Sequence, residues 1–175
     1  PPLYGGVRSV RPDFNGVDSV ALPVSLHKLS ERMVLCYTGN PRQSGINNWE
    51  VMKKVLDGNN AVARKLQKIG QIAREMDKAL TLGQMKKVTA LFDQEWKVRK
   101  ALAPTISTPY INKLITGAKN KGAQAAKVCG AGGGGCIAFM VPSTKRESVV
   151  SELVRLNGQV IPFRFVQRGL RVQTI

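Results

Sequence analysis

The 175 residues predict an α+β fold, an antiparallel sheet with helices on one face. Three observations carry that prediction. Strand-like apolar runs occupy the first and last thirds of the chain. The middle repeats apolar residues at helical spacing. A glycine-rich stretch, Gly130-Ala131-Gly132-Gly133-Gly134-Gly135, joins two short apolar runs, AAKVC and CIAFMV. The order of strand, helices, strand, tight loop, strand, helix, strand matches a ferredoxin-like core with extra helices.

Leu3 to Val10 and Val17 to Leu22 read as strands separated by RPDFNG, whose Pro12, Asn15 and Gly16 are turn formers. RMVLCY, from Arg32 to Tyr37, reads as a buried strand that Thr38-Gly39-Asn40-Pro41 breaks. Asn47 or Asn48 then caps a helix carrying Trp49, Met52, Val55 and Leu56. From about Asn60 to Leu80, apolar positions recur at Val62, Leu66, Ile69, Ile72 (or Ala73) and Met76. Thr81-x-x-Gln84 reads as a capping box for a helix with Met85, Val88, Phe92 and Trp96, ending near Pro104. Thr108-Pro109 places a cap before proline at the first helical position, with Tyr110, Ile111, Leu114 and Ile115 as the apolar face and Gly122 at the end. AAKVC and CIAFMV are strands. Thr144-x-x-Glu147 is a second capping box, for a helix with Val149, Val150, Leu153 and Leu156 that Asn157-Gly158 stops. QVIPFRF and GLRVQ read as closing strands.

Lysine and arginine number 27 against 11 acids, a formal charge of +16, which predicts a polyanionic partner. No acid lies between Glu95 and Glu147, while that span holds Lys97, Arg99, Lys100, Lys113, Lys119, Lys121, Lys127, Lys145 and Arg146. It also contains the glycine loop. Solvated helix faces are the plain reading for most of these cations. Cys36, Cys129 and Cys136 have no zinc spacing and each lies in an apolar run, so buried thiols in a reducing compartment are expected. The single histidine, His27, falls in a polar connection and supports neither a His-based metal cluster nor a triad. No metal site is expected. No apolar run approaches the roughly 20 residues that cross a bilayer, so a cytoplasmic, membrane-free protein is expected. The opening PPLYGG lacks Met, as a processed or shortened product would.

Gly130, Gly132 and Gly135 fit G-x-G-x-x-G only formally, because a strand follows them instead of a helix. No Lys-Ser/Thr pair follows, which excludes a P-loop. A hairpin turn needs one or two glycines. Five of them point to positive φ at several positions and to close approach by a ligand or another backbone.

Read together, several stretches resemble the GHMP kinases (galacto-, homoserine, mevalonate and phosphomevalonate kinases), in particular the branch acting on heptose 7-phosphate and its sugar-kinase relatives. KVCGAGGGGC, from Lys127 to Cys136, resembles that family's third motif. LCYTGNPR, from Leu35 to Arg42, resembles its YTG-x-x-R stretch. Glu95-Trp96 through Arg99, Leu102-Ala103-Pro104 and Ser107 to Ile111 resemble its W-x-x-R-x-L-S-P-x-x-S-x-P-x-I helix. Gln159 to Phe165 and Gly169 to Val172 resemble its PFRF…G-x-R-V tail.

The resemblance implies transfer of the γ-phosphate of ATP, with Mg2+, to a hydroxyl of a sugar or sugar phosphate. It also implies a phosphate loop of the type P-x-x-x-G-L-G-S-S-A, and this sequence has none. Leu3-Tyr4-Gly5-Gly6 matches the family's Y-G-G strand, so the Asp that precedes that strand in the family is expected upstream of Pro1, and no catalytic residue is assigned here. Residues 1–30 are then the last strands of a first domain and 31–175 a second domain. The expected partners are that first domain and the substrate, with no ATP or Mg2+ held by this chain alone. Gly130, Ala131, Gly132, Gly133, Gly134 and Gly135 support the ATP phosphate loop. Tyr4, Gly5, Gly6, Thr38, Arg42, Arg99 and Arg164 are candidates for substrate binding, with Lys100 beside them. Gly133→Val is expected to harm ATP use more than folding. The competing reading is a basic, non-catalytic module derived from a kinase and binding nucleic acid or a metabolite. The 6% aromatic content, mostly at core-like positions, argues against nucleic acid.

Overall fold

The computed structural model describes residues 4–41 and 44–170. Among the described residues, two sheets and six helices make up the fold. A ribbon of β1 (Arg8–Asp13) and β2 (Gly16–Ala21) stands apart from a four-stranded antiparallel sheet. That sheet has the order β4 (Ala125–Val128), β5 (Cys136–Met140), β3 (Met33–Tyr37), β6 (Gln159–Ile161). The helices are α1 (Leu26–Glu31), α2 (Ser44–Leu56), α3 (Asn60–Thr81), α4 (Met85–Arg99), α5 (Pro109–Asn120) and α6 (Arg146–Arg155).

Alternation along the strands decides which helix covers which face. Val34, Cys36, Ala126, Val128, Ile137 and Phe139 point to one face and join Ile111, Leu114, Val149 and Leu153 of α5 and α6 in the main core. Phe139 is fully buried and is the largest such side chain. Ala125 and Met140 point the other way and meet Ile72, Ala79, Val88 and Leu91 of the α3–α4 hairpin. The predicted α+β class with an antiparallel sheet is the one observed, but the helices are not confined to one face: α5 and α6 cover one side and the extra helices α3 and α4 pack on the other, because strand residues of both parities are apolar.

Several boundaries differ from expectation. β1 continues through Arg11, Pro12 and Asp13, so the turn shrinks to Phe14 and Asn15. Pro12 is tolerated because a two-stranded ribbon has only edges. His27 lies on the short α1 and is exposed, near Glu31. α2 begins at Ser44, so Asn47 lies inside the helix and Asn48 is not a cap either. Neither capping box forms. Thr81 is the last residue of α3 and its hydroxyl donates to the Asp77 carbonyl. A short 3-10 turn over Ser143–Lys145 precedes α6, displacing Thr144 from the cap position. Asn59, unremarked in the sequence, caps α3 by accepting from the Ala61 and Val62 N–H groups. Thr108 caps α5 as expected. After β6 the chain is irregular from Pro162 to Leu170, and of the predicted strand GLRVQ only Gly169 and Leu170 are described, neither in a strand.

Phe139→Ala is expected to cost about 3–5 kcal/mol in chemical denaturation, because its neighbours on β3, β4, α5 and α6 are locked in regular elements and cannot refill the space. A second expectation concerns pH. Burial pushes the Asp93 carboxyl up, but Lys119 and Lys97 more than offset this and hold it below the usual carboxylate range. Its stabilising contribution is therefore complete above the ordinary carboxylate pKa and lost as pH falls through the depressed value. Asp93→Asn should flatten the stability loss between about pH 5 and pH 3.

Candidate functional site

β4 and β5 are joined by the glycine loop, and the antiparallel register carries through Cys129, whose N–H donates to the Cys136 carbonyl at 2.8 Å. Beyond that pair the loop turns through positive φ at Gly130, Gly132, Gly133 and Gly135 (83°, 86°, 79° and 81°). These are conformations that side-chain-bearing residues rarely adopt. Two segments of the same chain grip it. The Gly133 N–H donates to the Ile106 carbonyl at 2.9 Å, and the Gly135 N–H donates to the Asn40 carbonyl at 2.8 Å. A Cβ on Gly132 would lie 2.5 Å from the Ile106 carbonyl oxygen, and one on Gly134 would lie 2.5 Å from that of Pro41. The close approach expected of the glycines is therefore an approach to the chain's own backbone at these two positions.

A third tie comes from α2. Asn47 is 1% exposed, and its Nδ2 donates to the Ala131 carbonyl at 3.2 Å. The amide orientation follows from chemistry, since a carbonyl only accepts. Sequence reasoning took Asn47 for a possible cap and missed this link, which spans 84 residues of chain. No local pattern encodes it.

Beside the loop the cations are organised by one carboxylate. Glu95 is 7% exposed and lies near the end of α4. Arg99, one turn on, pairs with its Oε1, and Lys127 Nζ lies 2.7 Å from its Oε2. Lys127 also stands 5.9 Å from the centre of the Phe92 ring. Arg99, Lys127, Asn48, Gly130 and Ala131 line a depression of about 270 Å³. Arg99, Asn48 and Ala131 also line an adjoining depression of about 410 Å³, with Met52, Val55, Leu66 and Leu102 among its apolar walls. Two cations sharing one carboxylate leave a net positive charge at the loop. In the sequence Lys127 was one basic residue of nine and the first residue of the motif-like stretch KVCGAGGGGC, and it was not named as a site candidate. The signal for its role was its position two residues before Cys129, on the same strand face.

The remaining candidates separate into groups. Thr38 is buried, donates its hydroxyl to the Asn40 carbonyl and gives its N–H to the Gly135 carbonyl, so it shapes the loop's seat. Tyr4, Gly5 and Gly6 lie elsewhere. The Arg8 guanidinium covers the Tyr4 ring at 4.9 Å, Gly6 N–H donates to the Val166 carbonyl, and Gly5 abuts the Gln167–Gly169 backbone. β6 runs from Gln159 opposite Tyr37 to Ile161 opposite Leu35, away from the loop end of the sheet. Arg164 follows it, exposed between Phe163 and Phe165, whose rings meet edge to face. Lys100 is exposed at the end of α4. Arg42 lies outside the described residues.

These donors suit phosphate oxygens. Among the described residues, no group of three or more His, Cys, Asp or Glu side chains could hold a metal, and Glu95, beside the loop, is taken by two cations. The residues at the loop therefore do not fit Mg2+, and no step is assigned to it. No helix among the described residues is long and apolar enough to cross a membrane.

Residues 73–158 match the family described as GHMP kinases C terminal. The D-glycero-alpha-D-manno-heptose 7-phosphate kinase of Campylobacter jejuni is 26% identical over 144 residues, covering 82% of this chain and 42% of that protein. Among solved structures, L. major mevalonate kinase in complex with R-mevalonate matches with a TM-score of 0.75 at 19% identity, covering 87% of this chain and 45% of that one. A D-glycero-D-manno-heptose 1-phosphate kinase from Bacteriodes thetaiotaomicron matches with a TM-score of 0.64 at 24% identity, covering 98% of this chain and 47% of that one. These structural likenesses show the fold. The chain spans less than half the length of each of these proteins.

Gly134→Ala tests the grip on the loop. Gly134 needs no positive φ, so its cost reports the close approach of the Asn40 and Pro41 backbone. A loss of about 1–3 kcal/mol in thermal or chemical unfolding is expected. A neutral result would show that the loop does not hold this seat.

Proposed function

We propose that this chain, whose residues 73–158 match the family described as GHMP kinases C terminal, is one part of an ATP-dependent kinase acting on a sugar or sugar phosphate, with heptose 7-phosphate as the first substrate to test. One observation carries the reading. The glycine loop, fixed by Asn40, Ile106 and Asn47, opens beside Arg99 and Lys127, which Glu95 holds in place. Phosphoryl transfer depends on positioning and on stabilising charge at the phosphoryl oxygens, and this arrangement offers fixed cations and a rigid backbone for that purpose.

In this reading Gly130 to Gly135 form one wall of the ATP phosphate site, packed against a phosphate loop supplied by another segment. Arg99 grips a phosphate with its planar fork, and Lys127 adds a point charge. Tyr4, Gly5, Gly6 and Arg164 belong to a second region, where the start of the described chain meets its tail. Residues 1–30 go with the first domain, a division supported by the separate β1–β2 ribbon. The chain by itself is inactive, since the phosphate loop of the resemblance is not in its sequence. A cytoplasmic location goes with this reading, as Cys36, Cys129 and Cys136 form no disulfide.

The test is ATP-dependent phosphorylation of D-glycero-D-manno-heptose 7-phosphate by the chain joined to a segment that supplies the phosphate loop and the Asp. Turnover is expected there and none from the 175 residues alone. Arg99→Lys should raise KM for the sugar phosphate about tenfold, because the charge stays but the two-pronged contact is lost. Gly133→Val is a poor probe, because a φ of 79° makes valine strained whatever the ligand does. No phosphorylation of any sugar or sugar phosphate, with steeply salt-dependent oligonucleotide binding instead, would favour the nucleic-acid reading.

A further inference from the structure

Cys129 and Cys136 bracket the glycine loop as its two neck residues. The pairing of Val128 with Ile137 and the 2.8 Å bond from Cys129 N–H to the Cys136 carbonyl place them directly opposite one another. Opposed residues of an antiparallel pair project to the same face, and a hydrogen-bonded pair has its Cα atoms about 5.5 Å apart. That separation lies within the range a disulfide spans. Both are half-buried, so a small oxidant can reach them. Cys36 differs. It projects into the core from the opposite face, and burial, with a smaller contribution from Cys136, pushes its thiol up to about 11.

We propose that Cys129 and Cys136 are a redox modification site, which a peroxide closes into a disulfide across the neck of the glycine loop. One thiolate attacks a peroxide oxygen, giving a sulfenic acid and, after protonation, water. The second thiolate attacks the sulfenic sulfur, forming the S–S bond and releasing the hydroxyl as a second water. Both sulfurs are oxidised and hydrogen peroxide is reduced, with no other reactant. Reduction by a dithiol restores the open neck. The crosslink ties the loop's two stems covalently where the backbone already pairs, so the loop loses freedom to adjust around a ligand while the sheet keeps its register. The proposal stands whether or not the chain serves a kinase.

The experiment exposes the folded 175-residue chain to stoichiometric hydrogen peroxide and then counts thiols under denaturing conditions. The count is expected to fall from three to one. Peptide mapping should place an internal crosslink between Cys129 and Cys136, with Cys36 still alkylatable and the change reversed by dithiothreitol. Amide hydrogen exchange at Gly132 to Gly135 should slow about tenfold in the oxidised form. Cys129→Ser should retain both remaining thiols outside any intramolecular disulfide. Crosslinks between chains, a disulfide involving Cys36, or separate oxidation of Cys129 and Cys136 would each overturn the proposal. The wild-type map decides the matter even if the serine variant fails to fold.

Discussion

A methyl group has no place at Gly132 or Gly134. The Ile106 carbonyl closes the first position and the Pro41 carbonyl the second. The arrangement around the loop follows from that constraint. β3 ends in a turn that lays Asn40 and Pro41 under the loop. The segment between α4 and α5 passes close enough for Ile106 to accept from Gly133. Because both neighbours are backbone, neither can move aside without disturbing a strand end or a helix junction. The loop is rich in glycine and yet well seated. Flexible residues are used here to reach a crowded conformation.

The same economy governs the charge. A formal +16 pointed to a polyanionic partner, with most of the cations read as solvated. Within the acid-free span, Lys97 and Lys119 converge on Asp93, and Arg99 and Lys127 converge on Glu95. Arg146 donates to the Met33 carbonyl. Two carboxylates of α4, one at the start of the span and one just before it, thus organise four of its nine cations. α4 is tied by these pairs to α5 and to β4. A stretch that looked like unbalanced charge along the sequence is balanced in space by the helix turn preceding it.

Regular elements were legible in the sequence because their signals are local. The helical spacing of Val62 to Met76 and the Thr108-Pro109 cap correspond to α3 and α5. The runs RMVLCY, AAKVC and CIAFMV correspond to the three strands β3, β4 and β5. The capping boxes failed because a four-residue match says nothing about where the preceding helix stops, and α3 runs through Thr81. The site was legible only in part. Positive φ at the glycines could be anticipated from composition. The Asn47 link to Ala131 could not, since it joins residues 84 apart and depends on how α2 docks. Trp49, Met52 and Leu56 had helical spacing, yet the structure leaves them exposed. Spacing shows that an apolar stripe exists and leaves open what covers it.

One modest bond has a consequence for the order in which the chain assembles. The Gly6 N–H reaches the Val166 carbonyl, and Gly5 packs against the Arg168 backbone, so the two ends of the described chain are joined. Closing so long a span costs more entropy than closing the short span from β4 to β5 or from α3 to α4. Contacts between distant segments form slowly for that reason. The sheet and its helices thus have the means to assemble first, with the ribbon and tail closing over a framework already in place.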